Sequence, residues 1–274
     1  MMSKSRKIIK CAKVFLKYLG LYPLIAPRKT RRFFRTIGDA ILKYDTSHVS
    51  SQILQCKKII PYAELDELFP KIKTIPMLIM PGKYPDEGGL TLYELITVCA
   101  ICKYIKPSKI FEFGTFKGNT TLHLTLNSPD RCEINTLDLP PEIRGDTLFP
   151  VEDGPITGMS FSVGEKYQGS SLENKINQLY GDSAPFDYTR FYGSMDLIII
   201  DGNHQYDNVK SDSENAFRML NPEGIILWHD YTLLPDHRGV IQYLNELSST
   251  LKLIRIADTC FVMSRKGDKI HHDC

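Results

Sequence analysis

Four short apolar runs between residues 109 and 230 each end in glycine or an acid, and this repetition constrains the fold more than any other feature. Lys109 to Phe113 leads into Gly114, Glu133 to Leu137 into Asp138, Met195 to Ile200 into Asp201, and Ile225 to Trp228 into His229-Asp230. Such runs, without polar alternation, suit parallel strands covered on both faces. Between the last two, Val209, Ala216, Phe217 and Leu220 mark one face of a crossover helix. Thr91 to Ile105 carries Leu92, Leu95, Ile96, Cys99, Ala100 and Ile101 at helical spacing and stops before Pro107. Leu251 to Ser264 reads as an antiparallel edge pair turning near Ala257-Asp258. Strand and helix in alternation predict an open α/β sheet, whose ligands bind outside the strand carboxyl ends.

Composition sets the boundaries. A hydrophobic fraction of 42% in 274 residues supports a core, and no run approaches the roughly 18 apolar residues of a membrane span. Seven scattered cysteines argue for a reducing, cytoplasmic setting. Residues 1–44 hold twelve Lys and Arg against Asp39 alone, a net +11, while the remainder carries 22 basic and 31 acidic residues, a net −9. Within residues 3–19, Ile8, Ile9, Ala12, Phe15, Leu16 and Leu19 oppose Arg6, Lys10, Lys13 and Lys17. That basic amphipathic helix suits an anionic membrane surface, and equally a packing face on its own domain or on a second copy in a homo-oligomer. The organisation read from the chain is a basic arm (1–44), a connecting helical region (45–84), the α/β domain (85–265) and a tail (266–274).

The chemistry concentrates at the run ends. Gly114-x-x-x-Gly118 lets the backbone turn tightly into a helix starting at Asn119. It lacks the dinucleotide spacing, and Glu112 before it repels phosphate and suits a cationic ligand. Asp138 lies 24 residues beyond Gly114, near the ribose-binding position of nucleotide-binding βαβ units; a turn cap is the plain alternative. Gly181-Asp182-Ser183 fits an adenine edge or an ordinary turn. The roughly forty residues from Leu139 to Gln178, rich in Gly and Pro, read as a lid more readily than as an idle insertion. Asp201, His204, His229 and Asp230 close two neighbouring strands and are the catalytic candidates. A divalent metal such as Mg²⁺ held by Asp201, His229 and Asp230 would lower the pKa of a hydroxyl; histidine favours softer metals or serves as a base. Cys99-x-x-Cys102 has no second pair and reads as core packing.

Glu112-x-Gly114-x-x-x-Gly118, Asp138, Gly181-Asp182-Ser183, Asp201-Gly-Asn-His204-x-Tyr206 and Pro222-Glu-Gly224 before His229-Asp230-Tyr231 occur in one order. Together they resemble the class I S-adenosylmethionine-dependent methyltransferases, in the group with macrocin-type sugar O-methyltransferases and cephalosporin hydroxylase-like proteins. The resemblance covers residues 85 to 265. It implies a Rossmann-like, mostly parallel seven-stranded sheet with helices on both faces. Glu112, Gly114, Thr115 and Gly118 would hold the methionine part of S-adenosylmethionine, Asp138 its ribose, and Asp182 and Ser183 its adenine edge. His229 stands where several relatives carry an acid.

The expected function is O-methylation of a small-molecule hydroxyl, such as a sugar or a lipid-linked glycan precursor, by a cytoplasmic enzyme peripheral to a membrane. Three alternatives remain: a nucleic-acid-binding protein or RNA methyltransferase docked through residues 4–35, a metal-dependent hydroxylase-like relative, and a non-catalytic binding protein that retained the fold. The acidic body argues against nucleic acid as a partner.

Overall fold

The computed structural model describes residues 58–85, 89–140, 147–149 and 161–268. The basic arm and its expected helix over 3–19 lie outside the described residues, as do residues 141–146 and 150–160 of the long segment expected to form a lid. One compact unit runs from Lys58 to Cys274. Its elements, in chain order, are β1 (Tyr62–Ala63), α1 (Leu65–Leu68), α2 (Leu92–Ile105), β2 (Lys109–Phe113), α3 (Asn119–Asn127), β3 (Glu133–Asp138), β4 (Ile176–Tyr180), β5 (Met195–Ile200), α4 (Tyr206–Met219), β6 (Leu220–Trp228), α5 (Arg238–Leu247), β7 (Ile254–Ile256) and β8 (Val262–Arg265).

The strands form one sheet in the order β1-β7-β8-β6-β5-β2-β3-β4. It is parallel except where β8 runs against β6 and β7. The expected architecture holds, with three corrections. The sheet has eight strands rather than seven, because Tyr62 and Ala63 add a short parallel strand beside β7. The β7–β8 pair is therefore not an edge: β8 lies between β6 and β7, and β1 covers the other side of β7. The boundary drawn at residue 85 also falls inside the compact unit, since Ile60, Phe69 and Ile72 are buried in its core.

Burial explains the unalternated runs. In β2, Ile110, Phe111, Glu112 and Phe113 are all buried, so both faces of the strand are covered. Helix α2 starts at a reciprocal capping box between Thr91 and Glu94. It buries Leu95, Val98, Ile101 and both cysteines, and burial pushes the Cys99 thiol up to about 12. These thiols are packing groups, as the spacing predicted. Among the described residues no helix is long and apolar enough to cross a membrane.

Candidate active site at the strand carboxyl ends

The registers of β2, β3, β4, β5 and β6 bring the four run ends to one end of the sheet. Gly114 turns the chain there with φ at +91°, and a Cβ at that position would stand 2.1 Å from the Asp201 carbonyl oxygen. Only glycine fits, because two neighbouring strand ends pass in contact. Asp138 ties the loop down by accepting a hydrogen bond from the Phe116 N–H at 2.5 Å. Gly181 N–H donates to the Asp138 carbonyl at 3.0 Å, placing Asp182 and Ser183 beside it. The Asp182 carboxylate accepts from the Leu148 and Ala184 N–H groups at 2.7 and 3.1 Å.

Beneath the loop lies Glu112, only 1% exposed. Its Oε2 accepts from the hydroxyls of Thr121 at 2.5 Å and Thr136 at 2.6 Å. Burial, reinforced by Asp201 and Asp138, outweighs these donors and pushes its carboxyl up to about 8. Glu112 and the buried Thr115 thus support the loop from behind rather than line its surface. The Thr115 and Thr136 hydroxyls are 2.7 Å apart, and the Gln178 side-chain N–H donates to Thr115 at 3.1 Å. The Tyr167 hydroxyl in turn donates to Gln178. A continuous polar chain therefore runs from the segment after residue 161 to the buried acid. That segment also lies on the loop: Gly164 and Lys166 N–H groups donate to the Phe116 and Lys117 carbonyls at 2.8 and 2.9 Å. The Tyr167 ring occupies the space a Cβ on Gly118 would need, at 2.5 Å.

Next to the loop, a second cluster centres on His229. Its Nδ1 is 2.9 Å from Asp201 Oδ1 and 3.2 Å from Asp230 Oδ2, and its Nε2 is 3.4 Å from Glu94 Oε1. Burial opposes charge on the ring, but Asp201 and Asp230 prevail and raise its pKa well above 6.5. An imidazolium among three carboxylates compensates charges that would be costly alone. Although burial opposes it, His229, Cys260 N–H and Thr91 hold Glu94 down at about 2. Burial likewise works against Asp230 ionising, yet His229 and His204 keep it well below the usual carboxylate range. Asp230 adopts a left-handed φ of 60° and meets two further histidines. His204 Nε2 is 2.8 Å from its Oδ2, and His237 Nδ1 is 3.3 Å from its Oδ1. Burial would lower the pKa of His204, but Asp230 raises it; at His237 burial wins and the pKa falls.

Comparison with known proteins shows what this region resembles. Residues 111–231 match the family model described as a methyltransferase domain. Over those residues the chain is similar to a methyltransferase domain. Caffeoyl-CoA O-methyltransferase of Stellaria longipes is 27% identical over 178 residues, 63% of this chain and 65% of that protein. An uncharacterized protein of Sinorhizobium fredii is 41% identical over 56 residues, 20% of this chain and 6% of its own length. The chain thus spans less than two thirds of either curated relative. The methyltransferase PaMTH1 of Podospora anserina, solved with S-adenosylhomocysteine bound, covers 81% of this chain and 96% of its own at 16% identity and a TM-score of 0.48.

Within the matched residues, the expected catalytic residues Asp201, His204, His229 and Asp230 share one hydrogen-bonded cluster. Asp201, His229 and Asp230 place potential ligand atoms within 4.8 Å of one another. Gly114 and Gly118 form the loop, Asp138 holds it through the Phe116 N–H, and Asp182 and Ser183 follow Gly181, whose N–H donates to Asp138. Sequence reading missed Glu94, His237, Tyr167 and Gln178. Thr91-x-x-Glu94 was readable as a capping box; His237 carries no comparable signal.

Proposed function

We propose that this domain transfers the methyl group of S-adenosylmethionine to a hydroxyl oxygen of a small molecule. The observation that carries the reading is the juxtaposition of an acid-rimmed glycine loop, anchored by Asp138, with a carboxylate and histidine cluster one strand away. An acidic rim favours a cationic ligand over a phosphate, and similarity to a caffeoyl-CoA O-methyltransferase supports oxygen as the accepting atom. Gly114, Gly118 and Asp138 would hold the donor, with Asp182 and Ser183 at its adenine end and Glu112 stabilising the loop beneath. When bound, the donor supplies an electrophilic methyl group on a sulfonium.

The chain's own residues then align and deprotonate the acceptor. Asp201, more exposed than Asp230 at 22% against 14%, would take the proton as the oxygen lone pair forms the new bond to carbon and the carbon–sulfur bond breaks, its electron pair staying on sulfur so that S-adenosylhomocysteine leaves as a neutral thioether. His229 fixes Asp201 and Asp230 and balances their charge. We further propose a sugar or glycan-precursor hydroxyl as the acceptor. The basic arm suggests a lipid-linked one, and vesicle flotation of the full chain at low salt checks that part.

Calorimetry tests the donor site. Asp138→Ala should weaken S-adenosylmethionine binding by about 1–3 kcal/mol through unpaired ribose hydroxyls. Absence of binding by the folded wild type, or equal affinity in the variant, would reject the assignment. Transfer of an isotopically labelled methyl group into a small-molecule pool, read by mass spectrometry, then identifies the acceptor. Asp201→Asn should reduce turnover far more than donor affinity.

A further inference from the structure

We infer that Asp212 is a positioning residue for the methyl donor: it fixes the rotation of the Ser183 hydroxyl and so sets selectivity for the adenine base. The role rests on the proposed methyl transfer, whose adenine end lies at Asp182 and Ser183.

Asp212 sits on the buried face of α4 and is only 2% exposed. Buried side-chain polar atoms nearly all find a partner. Its neighbour Ser213 does, donating to the Val209 carbonyl at 2.6 Å and accepting from the Trp228 indole N–H at 2.9 Å. Asp212 does not, since its Oδ1 has no hydrogen-bond partner among the described residues. Burial, with Asp182 adding to it, pushes the carboxyl up to about 7 against the hydrogen bond it receives from the Ser183 hydroxyl. An apolar side chain would fill the same space and leave no polar atom unpaired. Packing therefore gives no reason for an acid here; the contact with Ser183 does.

Two parts of the proposed donor site meet at this carboxyl. A Cβ added to Gly202 would stand 3.6 Å from Asp212 Oδ2, 3.8 Å from the Phe113 carbonyl carbon and 3.9 Å from the Gly114 nitrogen. Asp212 thus lies one glycine away from the start of the glycine loop. On its other side, Ser183 follows β4 in a turn whose backbone is already fixed. The Gly181 N–H donates to the Asp138 carbonyl at 3.0 Å, the Ala184 N–H to the Asp182 carboxylate at 3.1 Å, and the Tyr188 hydroxyl to the Ser183 carbonyl at 2.8 Å. Those bonds place the turn but would leave the Ser183 hydroxyl to rotate, and Asp212 removes that freedom. Adenine offers an acceptor nitrogen beside an amino group on its outer edge. A hydroxyl with a fixed rotation discriminates such an edge, whereas a rotating one adapts to either polarity.

Calorimetry on the full chain with S-adenosylhomocysteine and S-inosylhomocysteine tests this. The two differ only at the base edge, where hypoxanthine carries a carbonyl oxygen in place of the amino group and a proton on the adjoining ring nitrogen. The wild type should prefer the adenosyl compound by at least about tenfold. Asp212→Leu and Ser183→Ala should each cut that preference below about threefold, and Asp212→Asn, which keeps an acceptor for the Ser183 hydroxyl, should restore it. Ser183 lies on a partly exposed turn, so its alanine variant reads the hydroxyl even where the leucine variant fails to fold. Equal losses for both compounds in Asp212→Leu would mean a packing role and overturn the inference, as would a Ser183→Ala variant that keeps the preference. Binding of both compounds by the wild type without preference would overturn it too, with the donor reading left standing. A folded wild type that binds neither compound would reject the donor reading and this role with it.

Discussion

Replacing Glu112 by glutamine should stabilise the protein at neutral pH. A carboxyl with an ordinary value of 4.5 is pushed to about 8 beneath the glycine loop, chiefly by burial. The unfolded chain ionises it freely at pH 7, while the folded chain holds it neutral. One pH unit of such mismatch is worth about 1.4 kcal/mol, so the cost at pH 7 is roughly 3 kcal/mol. The wild type keeps its full stability below pH 4.5 and loses it progressively as pH rises through 8. Glutamine has the same shape and can accept both threonine hydroxyls without an ionisable proton. The gap between variant and wild type should therefore widen by about 1.4 kcal/mol per pH unit from 5 to 8 and then level off. Urea denaturation at several pH values measures it, with the single buried tryptophan, Trp228, as the fluorescent reporter. Groups that titrate equally in both proteins cancel in the difference. A gap independent of pH would refute the reasoning and mean that the two short threonine hydrogen bonds keep Glu112 ionised.

Gly114→Ala should cost at least about 1–3 kcal/mol from its positive φ, with further loss from the contact on the Asp201 carbonyl; an unchanged thermal midpoint would contradict that contact. His229→Gln should destabilise by about 3–5 kcal/mol by leaving Asp201 and Glu94 without a counter-charge and Asp230 with His204 alone. Because the folded pKa of His229 is raised, its contribution is fully present below about 6.5 and fades well above it. The deficit of the variant should therefore shrink in alkaline denaturation series, and a deficit that grows there would count against an imidazolium. Tyr167→Phe should cost about 0.5–1.5 kcal/mol and speed amide exchange at Gly164 and Lys166, where unchanged protection would separate that hydroxyl from the seating of the segment.

Much of the fold was legible because burial on both faces leaves a run such as Ile110 to Phe113 with no polar alternation, and each run stops where its strand meets solvent. Asp258, with φ at 58°, marks the turn expected in the tail. The first strand was not legible. Tyr62 and Ala63 are too short to show a period, and their pairing depends on residues 255 to 257, far along the chain. Arg255 N–H donates to Pro61 and Ala257 N–H to Ala63, at 2.8 and 3.0 Å. Those are backbone contacts, which no side-chain pattern announces.

The site divides along the same line. Asp138, Asp201, His229 and Asp230 were found because each ends a strand, and the rule about ligands at strand carboxyl ends reports only what the sheet carries. Glu94 belongs to a helix start, where its capping role already accounts for it. Its Oε2 accepts from Thr91, while Oε1 accepts from the Cys260 N–H at 2.8 Å and faces His229. One carboxylate thus serves a local rule and a distant charge at once, and the local rule hides the distant one. That third carboxylate changes the chemistry. Two acids and a histidine read from sequence look like metal ligands; a third acid beside the buried histidine makes charge balance part of its role as well.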